Sequence, residues 1–287
     1  MSERRLTVGL AQMRPRLGNL AANAELHLDT IREAVAQGTD LLVFPELSLT
    51  GYTLRDQVPD CALVPDDRLI ARLIKAAVRT TLIFGFVEQG PDYRFYNSAV
   101  VAEKGELRVV HRKTVLPTYG MFDEGRFFAT GDSLGAIDLR WGRLGLLICE
   151  EAWHPVNPYL LWLDGALVQV QMANGTARGR HAHVTPGGSE GIWRRMNATY
   201  AALYGQYLLF CNRVGFEEGV NFWGGSEIIS PDGLPTAQAG AFEETLLVGE
   251  IELAEVRRAR SRLPLRKAER LDLVSATLDR LRYEPEP

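Results

Sequence analysis

Residues 41–52 read LLVFPELSLTGY. The first four are apolar without alternation, the mark of a strand buried on both faces, which occurs in sheets covered by a further layer on either side. Pro45 then turns the chain out of the sheet, because its ring fixes φ and it has no N–H to offer a ladder. Glu46 follows at once, so a carboxylate stands at the rim of a buried sheet, partly desolvated, the setting of a usable base. A glutamate at a strand end is otherwise most often a solvated surface group. The apolar residues on both sides of Glu46 argue against that here.

Working outward, Leu6, Val8 and Leu10 alternate as in a strand, and Leu20, Ala24, Leu28, Ile31 and Val35 recur at a helical period before Gly38. A helix is predicted over 66–79 and an apolar strand over 81–87. Strands at 96–102 and 107–112 flank Glu103-Lys104-Gly105-Glu106, a hairpin turn. The middle of the chain repeats the theme: a strand at 143–149, a helix around 156–163, a strand at 166–171, a helix near 189–204 and a strand at 207–212. Late strands at 223–230 and 245–251 flank the turn tripeptide Pro231-Asp232-Gly233. Alternating helices and strands argue an α/β fold, and the hairpins argue against a simple doubly wound parallel sheet. The arginine-rich tail reads as an extended arm ending in a helix, packed on the body or on a second subunit, or else solvated. The expected organisation is one domain over 1–253 and a C-terminal arm over 254–287.

The bulk properties narrow the function classes. With 287 residues, 46% of them hydrophobic and 24% charged, the composition is ordinary for a globular chain. Such a chain buries a large core without help from disulfides or metal. A formal net charge of −4 gives no electrostatic reason to expect nucleic acid or an anionic membrane as partner. No apolar run approaches the roughly 20 residues of a membrane helix, and the N-terminus enters a strand-like alternation with no signal-peptide core. The sparse cysteines Cys61, Cys149 and Cys211 form no disulfide framework and fit a reducing cytoplasm.

Two further segments carry a reactive group in an apolar or glycine-rich setting: HRKTVLPTYGMFDEGRFF (111–128) and GRLGLLICEEAWHP (142–155). Cys149 ends a strand on a turn into the next element, which exposes its thiol and aims the following backbone N–H at the same space as an oxyanion donor. Lys113 ends another strand, where an ammonium would stabilise an oxyanion and help ionise a thiol. Glu124 could hold Lys113 or steer a leaving amine. Each has an ordinary alternative: a free cysteine packed as a small hydrophobe, a solvated lysine beside a solvated Arg112, a loop carboxylate paired with Arg126. As a set they are a base, a cation and a nucleophile, enough to open an amide by covalent catalysis.

The histidines offer no rival motif. His27 falls in a helix, His111 just before Lys113, and His154, His181 and His183 around loops. The HAH pair lacks further ligands at metal spacing, so no metal is expected. The glycines at 187–189 and 224–225 lack the lysine and strand-to-helix context of a phosphate loop, so no nucleotide or other cofactor is expected. Cys211 reads as core, and Cys61 has no comparable company. Tyr52, Tyr119, Phe122, Glu150 and Trp153 flank the three segments and are candidates for a substrate pocket, or for core packing.

Together these residues resemble the nitrilase superfamily of carbon–nitrogen hydrolases, over about residues 5–252. GLAQMRPRLGNLAAN is similar to its first strand and loop, FPELSLTGY to the segment of its base, HRKTVLP to that of its lysine and LLICEE to that of its nucleophile. NRVG (212–215) and FWGGSEIISPDG (222–233) are similar to its later strands. LPTYGMFDEGRFF and CEEAW most resemble the glutaminase domain of glutamine-dependent NAD synthetases. The segment at 172–183 departs from the serine- or proline-rich loop of simple amidases, and the chain carries no synthetase motif. The resemblance implies a four-layer αββα sandwich and a homodimer or higher oligomer whose C-terminal segment extends over the neighbour. It also implies an additional active-site role for Glu124 and the N–H of Glu150 in the oxyanion hole. The implied activity is hydrolysis of a small carboxamide, glutamine or an ω-amide included, without a cofactor. The alternatives are a glutaminase subunit feeding a separate synthetase, a silent binding protein of the same fold, and acyl transfer to an amine.

Overall fold

In the computed structural model, residues 4–177 and 188–283 are described, so His181 and His183 lie outside the described residues. The first half of the chain builds one six-stranded sheet. β1 (Arg5–Gln12) leads through α1 (Leu20–Ala36) to β2 (Leu41–Val43), then through α2 (Val58–Cys61) and α3 (Arg68–Ala76) to β3 (Thr81–Gln89). These three strands are parallel. β4 (Phe95–Glu103) and β5 (Glu106–Arg112) follow antiparallel, joined at the turn read from the sequence. α1 starts where the Asn19 side chain caps the Ala22 N–H and stops before Gly38, whose φ is 73°.

After the short α4 (Glu124–Phe127), the second half repeats the plan. β6 (Ile137–Leu139) pairs with β7 (Gly142–Ile148). α5 (Val156–Leu163) leads to β8 (Val168–Ala173) and the short β9 (Thr176–Ala177). α6 (Ser189–Tyr204) leads to β10 (Tyr207–Asn212). β7, β8 and β10 are parallel. β11 (Val214–Glu217) and β12 (Val220–Trp223) form a small sheet with β9. β13 (Glu227–Ile229) and β14 (Pro235–Gln238) complete the second six-stranded sheet. β15 (Thr245–Glu252) then crosses back to pair with β1. α7 (Leu253–Arg262) and α8 (Leu271–Tyr283) close the chain.

Three apolar layers hold four layers of structure together, α–β–β–α. Between the sheets, Leu6, Val8 and Leu10 of β1 meet Leu144, Leu146 and Ile148 of β7 and Val168, Val170 and Met172 of β8. Outside the first sheet, Leu42, Phe44 and Phe84 pack on Ile31 of α1 and Ile70 and Leu73 of α3. Outside the second, Leu147, Leu208 and Phe210 pack on Trp162 of α5 and Trp193 of α6. This explains the unbroken apolar run of β2: Leu41 and Val43 face the other sheet, while Leu42 and Phe44 face the helices.

Three expectations need correction. The strand read at 223–230 is broken, because Gly224 and Gly225 take φ of 72° and 62° and carry the chain from the small sheet to the second large one. The Pro231-Asp232-Gly233 turn closes the β13–β14 hairpin rather than leading to β15. The tail begins as helix α7, which buries Leu253, Ala254, Val256 and Ala259, instead of as extended chain. Among the described residues no helix is long and apolar enough to cross a membrane.

The loop after β2 is tied to the body from two sides. His27 of α1, fully buried, donates from Nδ1 to the Asn23 carbonyl at 2.7 Å and accepts at Nε2 from Ser48 Oγ at 2.9 Å. On β3, Gly85 lies so close that a Cβ would come within 2.3 Å of the Leu47 nitrogen. Gly85→Ala is therefore expected to destabilise the fold by about 1–3 kcal/mol and displace this loop, which thermal unfolding would register. Burial pulls the His27 pKa from 6.5 down to about 4, against the upward effect of its bond to Asn23. The unfolded chain thus takes up this proton first, and stability should fall as pH drops from 6.5 towards about 4. Urea midpoints across that interval should fall in the wild type and fall less in His27→Gln.

Candidate active site

The candidate residues stand at one edge of the sandwich. β4 reverses the direction of β3 and β5 reverses it again, so β5 ends at the same edge of the sheet as β2, with β3 and β4 between them. Glu46 thus follows β2, Lys113 follows β5, Cys149 follows β7, and Asn174 follows β8, each from the carboxyl end of its strand. Residues just past strand ends leave the sheet's ladder and can aim side chains at a shared space.

Lys113 is the centre of the cluster and is fully buried. Its Nζ donates to Glu46 Oε1 at 2.7 Å and to both oxygens of Glu124 at 2.8 Å. Asn97 of β4 donates from Nδ2 to the same Glu46 oxygen at 2.8 Å. The other Glu46 oxygen accepts the Asn174 backbone N–H at 3.0 Å, and the Asn174 amide donates back to the Glu46 carbonyl at 3.1 Å. Tyr52 donates from its hydroxyl to Glu124 Oε1 at 2.6 Å.

The electrostatics follow from this arrangement. Burial by itself would strip Lys113 of its proton, but Glu124 and Glu46 outweigh it and hold the ammonium pKa above its ordinary value. Burial pushes the Glu124 carboxyl up, Lys113 draws it down, and the charge on Glu46 adds a further upward push. Burial likewise pushes the Cys149 thiol well above its usual range, helped by Glu46 and opposed by Lys113 and the Asn174 N–H. The thiol therefore keeps its proton near neutral pH and needs a base to become a nucleophile.

Cys149 itself has φ of 50°, a left-handed conformation. For a residue with a Cβ this costs on the order of 1–3 kcal/mol and persists only where the surroundings over-determine it. Glu151 supplies that constraint. Its fully buried carboxylate accepts the Ile148 N–H at 2.6 Å, the Thr114 N–H at 2.8 Å and the Thr114 hydroxyl at 2.7 Å, with His111 Nε2 at 2.9 Å. It joins the residue before the thiol to the residue after Lys113. Burial would raise its pKa, but His111 and these bonds lower it.

The thiol opens on a cleft lined by Tyr119, Phe122, Glu150, Trp153, Thr176 and Trp193, among others. Tyr119 donates from its hydroxyl to the Glu150 carboxylate at 2.9 Å. Tyr52 lies outside this lining: its hydroxyl is on Glu124, and its ring meets Phe122 edge-on at 6.1 Å. Arg112, read as solvated, instead grips Glu88 at 2.6 Å and covers the Tyr96 ring at 4.0 Å, because strand alternation points it away from Lys113. Arg126 sits 4.0 Å from Asp123, not on Glu124. Sequence reading did not single out Asn97, Asn174 or Glu151 for roles in the site. The polar pair Asn97-Ser98 within the otherwise apolar stretch FYNSAVVA was the signal available for Asn97. Among the described residues no cluster of three or more His, Cys, Asp or Glu side chains could hold a metal.

A mixed α/β sandwich with a buried Glu–Lys–Glu cluster beside a thiol defines a class, and comparison with known proteins places it. The family model for carbon-nitrogen hydrolases matches residues 7–261, and the chain belongs to that family. The glutamine-dependent NAD(+) synthetase of Thermotoga maritima is 32% identical over 88% of this chain but only 43% of its own length. The hydrolase in pqqF 5'region of Pseudomonas protegens is 31% identical over 86% of this chain and 83% of its own. The chain thus spans less than half the length of the NAD synthetase it matches. Among solved structures, a carbon-nitrogen hydrolase from Helicobacter pylori shares the fold with a TM-score of 0.83, covering 96% of this chain and 99% of that one at 23% identity.

Iodoacetamide should alkylate Cys149 before Cys61 and Cys211, which are 4% and 0% exposed, as followed by peptide mass spectrometry. Because the Cys149 pKa is raised above the usual 9.0, its labelling rate should still be climbing at that pH. Equal labelling of all the cysteines, or a plateau near pH 7, would overturn this reading of the site.

Proposed function

We propose that this chain hydrolyses the C–N bond of a small linear carboxamide through a thioester on Cys149. The observation that carries the reading is the fully buried Lys113 ammonium, bracketed by Glu46 and Glu124, beside a thiol at the floor of a cleft. Glu46 takes the thiol proton as the sulfur attacks the amide carbon, and the carbonyl electron pair moves onto oxygen. Lys113 and the Glu150 N–H stabilise that oxyanion. The intermediate collapses to the thioester, and ammonia leaves with the proton returned by Glu46. A water then gives a proton to Glu46 and attacks the thioester, and the thiolate leaves and recovers its proton. Lys113 acts throughout as a fixed charge, since its flanking carboxylates keep it protonated. Glu124 keeps it in place.

The cleft favours an amide that also bears a cation. Glu150 presents a carboxylate there, oriented by Tyr119, while Phe122 and Trp153 supply apolar walls. An ω-amide of an amino acid, such as glutamine, offers an ammonium at the end remote from the reacting carbonyl. A glutaminase that passes ammonia to a separate synthetase is the second reading, supported by the glutamine-dependent NAD(+) synthetases among its relatives. It predicts that glutaminase activity rises when such a partner is added.

The test is ammonia release over glutamine, asparagine, other ω-amides, aliphatic amides, N-carbamoyl compounds and nitriles. Cys149→Ala should abolish turnover, and full activity in that variant would refute the mechanism. Glu150→Gln should raise KM for glutamine about tenfold, the equivalent of about 1.4 kcal/mol, and leave a neutral aliphatic amide unchanged. An equal effect on both substrates would refute the assignment of Glu150.

A further inference from the structure

We propose that Glu217, paired with Arg213, is a positioning residue: it fixes the Tyr52–Thr53 backbone so that the Tyr52 hydroxyl meets Glu124 and steadies the Lys113 ammonium. The inference rests on the hydrolytic reading above and extends it to the small third sheet, for which the mechanism so far has no use.

Glu217 ends β11, and its side chain is 3% exposed. One carboxylate oxygen accepts two consecutive backbone N–H groups, Tyr52 at 2.9 Å and Thr53 at 2.6 Å. The other accepts Arg213 Nη1 at 2.7 Å. Gly51 makes the approach feasible, since a Cβ there would come within 2.7 Å of the Glu217 carboxylate. Arg213 is fully buried beneath solvent reach, its guanidinium 4.2 Å from the centre of the Phe222 ring. Its Nε and Nη2 have no hydrogen-bond partner among the described residues. Phe222 of β12 also meets the Tyr52 ring edge-on at 6.4 Å, in addition to the contact from Phe122. The β11–β12 hairpin therefore holds Tyr52 at its backbone through Glu217 and at its ring through Phe222. The aromatic side chain is a rigid link from there to the hydroxyl on Glu124.

Stability alone is a poor reason for this pair. A buried ion pair replaced as a whole by apolar residues is often neutral or favourable, whereas breaking one side leaves an uncompensated charge. What an apolar pair could not do is accept the Tyr52 and Thr53 N–H groups. That distinction sets the experiment, made on the full chain. Arg213→Met with Glu217→Leu removes the charges and the acceptors together. Arg213→Met with Glu217→Gln removes the charges but keeps an amide oxygen for the two N–H groups.

The leucine variant should lose about tenfold in kcat for ammonia release with KM within about twofold, and the glutamine variant should recover to within about threefold of wild type. In a Tyr52→Phe background the leucine pair should cost less than about twofold more, because the path is already cut at the hydroxyl. Should the leucine variant fail to fold, Glu217→Asp serves in its place, its shorter carboxylate being unable to span the guanidinium and the loop together. Equal losses in the leucine and glutamine variants, or a full further loss on top of Tyr52→Phe, would overturn the proposal. Iodoacetamide labelling of Cys149 reads the same ordering without substrate. If no amide is turned over, the hydrolytic reading fails, while equal labelling rates in all variants defeat this one.

Discussion

The structure depends on one buried ammonium. Lys113 is withdrawn from water completely, and a lone charge there would simply lose its proton. It stays charged because carboxylates from two separate segments, Glu46 and Glu124, meet it at 2.7 and 2.8 Å. Two carboxylates around one ammonium leave a net negative charge in a region of low dielectric. That charge is then spread over further donors: Asn97, the Asn174 N–H and the Tyr52 hydroxyl. Each donor comes from a different element, so the cluster exists only when both large sheets are assembled.

The same constraint accounts for the strained turn at the thiol. Cys149 lies at the end of β7 with a positive φ, and Glu151 anchors the turn to Thr114, beside Lys113. Thiol and ammonium are thereby positioned by one carboxylate that accepts hydrogen bonds from the residue before Cys149 and the residue after Lys113. Strain of this kind withstands relaxation only where the packing around it is dense, and the thiol sits where the inter-sheet and outer-helix layers both reach it.

How far the chain could be read from its letters varied with the range of the interaction. The first sheet was legible almost strand by strand, because β1, β3 and β4 are long and largely apolar, β2 is a wholly buried run before Pro45, and Gly38 and Lys104-Gly105 punctuate the chain. Glu46, Lys113, Glu124 and Cys149 were legible because each breaks an apolar or glycine-rich run with a reactive group. The small sheet of β9, β11 and β12 was not, since its strands are two to four residues long and two glycines split the run that followed. Glu151 and Asn174 were missed as members of the site because neither is unusual locally, and their partners lie 37 and 128 positions away. Tyr52 was read as a pocket residue from its neighbourhood in sequence. It lines a cavity with Met121, Glu124 and Phe128 rather than the cleft at Cys149, with its hydroxyl on Glu124 and its backbone N–H on the Glu217 carboxylate.

The four-layer sandwich was implied by the resemblance to a known family, whereas the sequence by itself determined the α/β alternation and the order of a carboxylate, an ammonium and a thiol at strand ends. Those properties follow from local patterning, in which apolar periodicity selects helix or strand and a polar residue after an apolar run marks the sheet's edge. Only the tertiary structure decided which groups meet, which carboxylate shares the ammonium, and which aromatics line the cleft. These depend on side chains brought together across two sheets, where burial converts ordinary ionisable residues into an electrostatically coupled set.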